Sequence, residues 1–351
     1  MRKKIIVSLL ILLMTVSAVF SQSYVVLVKP VGGKEWGYAN LKGELIIDAQ
    51  FRKCFDFSED GFAPVFDFKK KQYYFINLQG ETLKTEIEKF RLKEIFGFET
   101  RGFTNGLAIV RQEDKWGALN TDGKLAIPFK YDKLSEFIDS YAIAKIDESF
   151  YILDKQGNET RIENPDIIDI KTFSEQLAPY KSASGKLGFI DFSGKIVISA
   201  QFTGVGYFND GLAWARSEDG QHGFIDNKGA WVIKPQFLST KDFEKESGLA
   251  RVKLESGWAY VDKSGNIMQF KSSLVISDFS EGLAKGKKED KLGFYNNKEE
   301  WVIPPQFNGV REFRNGYAAV KQGELWGIID NKGNWVIKPM FAGIKDVVLV
   351  K

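Results

Sequence analysis

The stretch WGIIDNKGNWVIKPMF, residues 326 to 341, restates HGFIDNKGAWVIKPQF, residues 222 to 237, almost letter for letter. A chain that repeats one short sentence must repeat one small structural unit. Such a unit is too short to bury a core alone, so neighbours have to stack. Anchored on the Gly of WG, the frame recurs at Gly37, Tyr74, Gly117, Tyr151, Gly188, Gly223, Ala259, Gly293 and Gly327. Six residues later stand Gly43, Gly80, Gly123, Gly157, Gly194, Gly229, Gly265, Glu299 and Gly333. These nine units cover the chain from residue 24 to 351, with anchors 37, 43, 34, 37, 35, 36, 34 and 34 residues apart. Only the second step holds a clear insertion, assigned to residues 84–102. There Glu86, Glu88, Lys89 and Arg91 mix with Ile87, Phe90, Ile95 and Phe96, which predicts a short amphipathic helix or a charged extended loop.

Further columns give the unit its structure. Three residues after the anchor comes an Asx residue in every unit, from Asn40 to Asp330, and ten after the best-kept anchors comes Ile47, Ile127, Ile198, Ile233, Ile303 or Ile337. WGIID and NWVIKP are β-rich runs joined by Asp330-Asn331-Lys332-Gly333, a four-residue hairpin connection with Asx at its first position and Gly where positive φ is needed. A third strand of the AAVK type follows, with a short fourth in stretches such as 310–313. The fold class is therefore all-β, a tandem array of antiparallel meanders of about 35 residues. Such an array either closes into a propeller or stays an open superhelix. The segments 24–29 and 347–351, YVVLVK and VVLVK, read as two copies of one strand type, which predicts the open array. Both ends would then expose unpaired backbone and invite edge-strand self-association.

Trp36-Gly37, Lys115-Trp116-Gly117 and Trp326-Gly327, together with the GFID.KG..VI.PQF pattern around Gly223, resemble the WG (KWG) repeat family of bacterial proteins over residues 24 to 351. The resemblance implies an all-β tandem array, commonly exported or surface-associated, and carries over no catalytic residue. Gly188, Asp226, Gly229, Asp330 and Gly333 join those Trp and Gly residues as repeat positions. Departures stand at Tyr73, Phe150, Leu187, His222 and Leu292, where the Trp is replaced.

Arg2, Lys3 and Lys4 precede an apolar run from Ile5 to Met14, the form of a signal peptide over residues 1–21, with cleavage ahead of Gln22. The rest, 22–351, is expected to be exported and to lie in a periplasm, on a surface or outside the cell. No cysteine near the junction suggests a lipid anchor, and no later segment has the length of a transmembrane helix. Losing those three cations balances the 49 basic residues against the 46 acidic ones. That balance argues against nucleic acid and anionic membranes as partners. Cys54 is the only cysteine, expected as a buried small hydrophobe rather than a reactive thiol.

Each tempting residue type has a structural account. The Asx column offers one oxygen per turn where a calcium loop needs several. His222, the sole histidine, occupies the Trp column as a packing ring. Trp231, Trp301 and Trp335 share a strand face with the core Ile residues. Trp214 and Arg251 differ. They occupy the variable position on the AAVK-type strand, where other units place Pro64, Ile109, Ile143 or Lys285, and repeat arrays diversify binding surfaces at such positions. They are the candidate ligand contacts. No serine elbow, phosphate loop, metal cluster or dinucleotide fingerprint is present, and no cofactor or catalytic residue is assigned. The functional expectation is an exported, non-enzymatic binding or scaffold protein that meets a protein or glycan of the cell envelope or exterior. The alternatives are a carbohydrate-acting hydrolase using a carboxylate pair and a purely structural envelope component.

Overall fold

The computed structural model describes residues 23–95, 99–100 and 102–351. The expected signal segment 1–21, Gln22 and part of the 84–102 insertion fall outside them. The described residues form strands and no helix.

The sixth unit shows the plan. Gly204–Val205, Ala213–Arg216, His222–Ile225 and Trp231–Phe237 pair in sequence order into one antiparallel sheet. Units four to eight each repeat this four-stranded order. The short strand expected at the tail of a unit thus heads the sheet: Gly309–Val310 pairs with Tyr317–Gln322, and the WG strand follows. We call this opening stretch the lead segment.

The turn columns behave as their stereochemistry requires. The Asp226 Oδ1 accepts the N–H of Lys228 and of Ala230, both at 2.9 Å, while Gly229 sits at φ +82°. The anchor Gly has a separate reason. The fourth strand bulges against it, and a Cβ on Gly223 would lie 2.4 Å from the Ile233 carbonyl oxygen. Where the anchor carries a side chain, the fourth strand shrinks. It is a single bridge to Thr82 after Tyr74, Glu159–Arg161 after Tyr151 and Ile267–Met268 after Ala259, against seven residues in Trp231–Phe237.

The core lies between units. Phe224, Ile233 and Phe237 of unit six pack with Phe243, Val252 and Val261 of unit seven in one buried cluster. Trp231 and Trp335 meet the Phe of the preceding unit edge-on, at 5.4 Å from Phe202 and 5.8 Å from Phe307. Polar staples follow the same boundaries. Glu175 accepts the N–H groups of Asp210 and Gly211 at 2.7 and 2.9 Å, and Glu281 accepts those of Asn315 and Gly316 at 2.6 and 2.8 Å. These glutamates sit in turns, as the repeat pattern indicates, but they bind the next unit's turn.

Two expectations are corrected. Of the two forms expected for residues 84–102 the helix does not occur among the described residues and the extended form does, but the segment is not all insertion. Arg91–Leu92 is the lead strand of unit three, with Leu92 opposite Val110 as Leu134 is opposite Ala144. Phe90 and Leu92 are buried on either side of exposed Arg91, the two-residue period of a strand. The excess falls between Leu92 and Phe103, eight residues more than separate Leu134 from Phe137. Within it, Glu94–Ile95 pairs with Glu99–Thr100.

The second correction concerns the ends. The segments 24–29 and 347–351 are complementary rather than duplicates. Ser23–Pro30 is the second strand of unit one, and residues 343–350 are its lead strand, with Val26 opposite Val347 and Val28 opposite Ile344. The final strand, Trp335–Val350, is therefore both the fourth strand of unit nine and the lead strand of unit one, and it joins the two units in one seven-stranded sheet. The backbone expected to be exposed at both ends is paired within the chain, and Val25 to Val28 are at most 3% exposed.

Candidate functional site

Eight lead segments end in a buried Phe and that of unit one in buried Val347, and the residue just before forms a column: Asp56, Gly102, Glu136, Thr172, Tyr207, Asp242, Asp278, Glu312 and Asp346. The variable position of the second strand, which holds Trp214 and Arg251, is the other half of this surface.

From unit seven onward the two columns pair across unit boundaries. The Arg251 Nε lies 2.8 Å from Asp278 Oδ1, its Nη1 donates to the Ile276 carbonyl at 2.8 Å, and the guanidinium stands 4.5 Å from the Trp258 ring. Lys285 reaches Glu312 at 3.0 Å. At the boundary between units nine and one Ala319 takes the variable position, so Arg311 and Arg314 supply the cations for Asp346. Candidate Arg251 thus spends its charge on the neighbouring unit.

Units four to six lack this pairing because the variable position holds Ile143, Pro179 and Trp214. Trp214 is seated within its own unit. Its indole covers Gly206, where a Cβ would fall 2.2 Å from Nε1, and stacks on His222 at 5.1 Å. The His222 Nδ1 meets Thr240 Oγ1 at 3.2 Å, and desolvation, then Arg216, holds its pKa below the usual value. Beyond Trp214, the carboxyl of Asp242 is pushed up by desolvation, Lys241 opposing and Asp278 reinforcing the shift.

Across the lead segments of units three to six opens a cavity of about 550 Å³. Lys93, Glu136, Lys171 and Tyr207 come from four successive lead segments, Leu134, Ile143 and Phe150 supply apolar lining, and Trp116 adds a ring. Another cavity, of about 440 Å³, at units nine, one, two and three, holds Asp56, Arg311, Asp346 and Cys54. The Cys54 thiol is pushed up to about 12 by burial, opposed by its hydrogen bond to Tyr38, so it stays protonated at neutral pH.

Sequence reasoning found the variable column but missed the lead column. Its signal was an acid directly before a Phe, in Asp56-Phe57, Glu136-Phe137, Asp242-Phe243, Asp278-Phe279 and Glu312-Phe313.

The chain belongs to the WG-repeat family: the model described as WG containing repeat matches residues 36–66, 99–116, 116–149, 188–220, 223–258, 293–326 and 326–347. No curated protein matches it in sequence. Among solved structures, the crystal structure of a eukaryotic initiation factor has a TM-score of 0.59 at 10% identity, with 94% of this chain and 98% of that one covered. That likeness is one of fold. BamB from Moraxella catarrhalis has a TM-score of 0.41 at 10% identity, with 88% of each chain covered.

Proposed function

We propose that the chain is an exported, non-enzymatic binding protein whose nine units close into a β-propeller and present their lead-segment face to a glycan or protein of the bacterial envelope or exterior. The observation that carries this reading is the uneven use of two equivalent columns. Where Arg251, Lys285, Arg311 and Arg314 pair with acids of the next unit, the surface is committed to holding units together. Across units four to six Ile143, Glu136, Thr172 and Tyr207 of the same columns line a cavity open to a ligand. The pairing of Ser23–Pro30 with residues 343–350 supports a closed ring over an open superhelix, since the first and ninth units become neighbours. In a ring the end strands have no free edge, so self-association through them is not expected.

The test is made on residues 22–351. Small-angle scattering should give a compact disc, and calorimetry against a panel of envelope glycans should give saturable binding with the ligand recovered intact. An elongated particle would refute the ring, and release of shortened glycan would make the protein a hydrolase.

A further inference from the structure

Three depressions run edge to edge across units two to six, with volumes of about 550, 510 and 610 Å³. The first two share Lys93 and Trp116, and the second and third share Gln72, Arg91 and Arg111. Together they make one extended groove, the shape of a site for a chain rather than for a compact molecule. Nine Lys and Arg residues line it against three carboxylates. The whole sequence carries 49 basic against 46 acidic residues, so this is a local segregation of charge.

Two of the nearby acids do little to neutralise it. Asp114, which meets Arg111 at 2.9 Å, has a side chain 94% exposed, and Glu148, which meets Lys145 at 2.9 Å, is 95% exposed. Pairs that open to water are weak and readily exchanged. The repeat supplies an independent sign. Between second and third strands most units carry acids at the turn, as in Glu113-Asp114, Asp147-Glu148 and Glu289-Asp290. Unit two places Lys69-Lys70-Lys71 there, and Lys70 and Lys71 wall the groove.

The rings decide the kind of polyanion. Tyr73, Phe90 and Phe150 are each about 5% exposed and offer no face for stacked bases. A nucleic-acid strand would need a row of open rings. Phe66, Trp116 and Tyr207 are half-buried but are spread over units two, three and six and form no continuous row; Trp116, with the Arg111 guanidinium 5.7 Å from its ring, sets one ring face beside several cations, which suits a sugar chain with regularly spaced anionic groups.

We propose that this groove binds a linear anionic polysaccharide, with Lys71, Lys89, Arg91 and Lys171 on its carboxylate or sulfate groups and Trp116 under a sugar ring. The proposal rests on the binding reading above and names its ligand class.

The experiment measures affinity of the full chain for polygalacturonate, dextran sulfate, neutral dextran, poly-L-glutamate and an oligothymidylate at two salt concentrations. Lys71→Glu/Arg91→Glu/Lys171→Glu is compared with the unaltered protein, its folding checked by thermal melting. So is Trp116→Leu, a residue the repeat itself uses in that column at Leu187 and Leu292. The expected result is binding to an anionic polysaccharide that weakens with salt, a tenfold or greater loss in the triple variant and a several-fold loss with Trp116→Leu. Equal binding by the folded triple variant overturns the proposal. So does a preference for poly-L-glutamate or oligothymidylate. Binding of neutral dextran alone also overturns it while leaving the binding reading intact, whereas cleavage of any glycan refutes that reading itself.

Discussion

At the boundary between units eight and nine, Lys285 holds Glu312 at 3.0 Å; at the boundary between units four and five, the equivalent residues are Ile143 and Thr172. Both boundaries are otherwise built alike, with Phe313 and Phe173 buried to 1% and 2% exposure and the same hairpin turns. The fold therefore asks for the Phe and not for the charges. One arc of the molecule has used that freedom to stitch units together, and the other has used it to line a groove.

The comparison breaks most sharply where the fold's own demand is violated. Gly223→Ala, whose Cβ meets the Ile233 carbonyl oxygen at 2.4 Å, should cost about 3 kcal/mol in urea unfolding, an overpacking and strain effect. Ala259→Gly, in a unit with a two-residue fourth strand, should cost about 1 kcal/mol or less. Next comes the stitched arc. Asp346→Ala leaves Arg311 and Arg314 without their shared acceptor and should cost about 2 kcal/mol, discounted for partial exposure, while Thr172→Ala in the other arc should change stability by less than about 0.5 kcal/mol. Arg251→Met keeps an apolar stem against Trp258 but strands Asp278, for about 1 kcal/mol.

The smallest effect is a pH dependence at the border between the arcs. The folded-state pKa of His222 lies below its ordinary 6.5, because burial first and Arg216 second disfavour the imidazolium. Its contribution is present above pH 6.5 and is lost as pH falls toward the folded value. His222→Phe should flatten that part of a stability profile recorded from pH 7 to 5. An unchanged profile would remove His222 from the account.

What the sequence made legible were the columns with a local stereochemical cause: Asx turns, positive-φ glycines and the hairpins they join. The pairing of the end strands was written there too, since Ile344-Lys345-Asp346-Val347 matches Val310-Arg311-Glu312-Phe313, but Val in place of Phe hid the match behind a likeness to residues 24–29. The insertion misled because charges around Phe90 and Leu92 suit a helix face as well as a strand, and only the partner strand at Val110 decides between them. Of the two candidate contacts, both lie on the expected column. What neither composition nor spacing displays is which cations of distant units share a groove, because that depends on how neighbouring units stack.

The strand Trp335–Val350 belongs to two units, and this imposes an order in time. Unit one is made first, yet its sheet lacks a lead strand until residues 343–350 have been synthesised, more than three hundred residues later. Its second strand must wait with an open edge while the intervening units form, and such long-range pairing is slow and exposed to misassembly. The earliest part of the chain is thus the last to be completed, and loss of only the final eight residues of that strand would leave the first unit permanently unfinished.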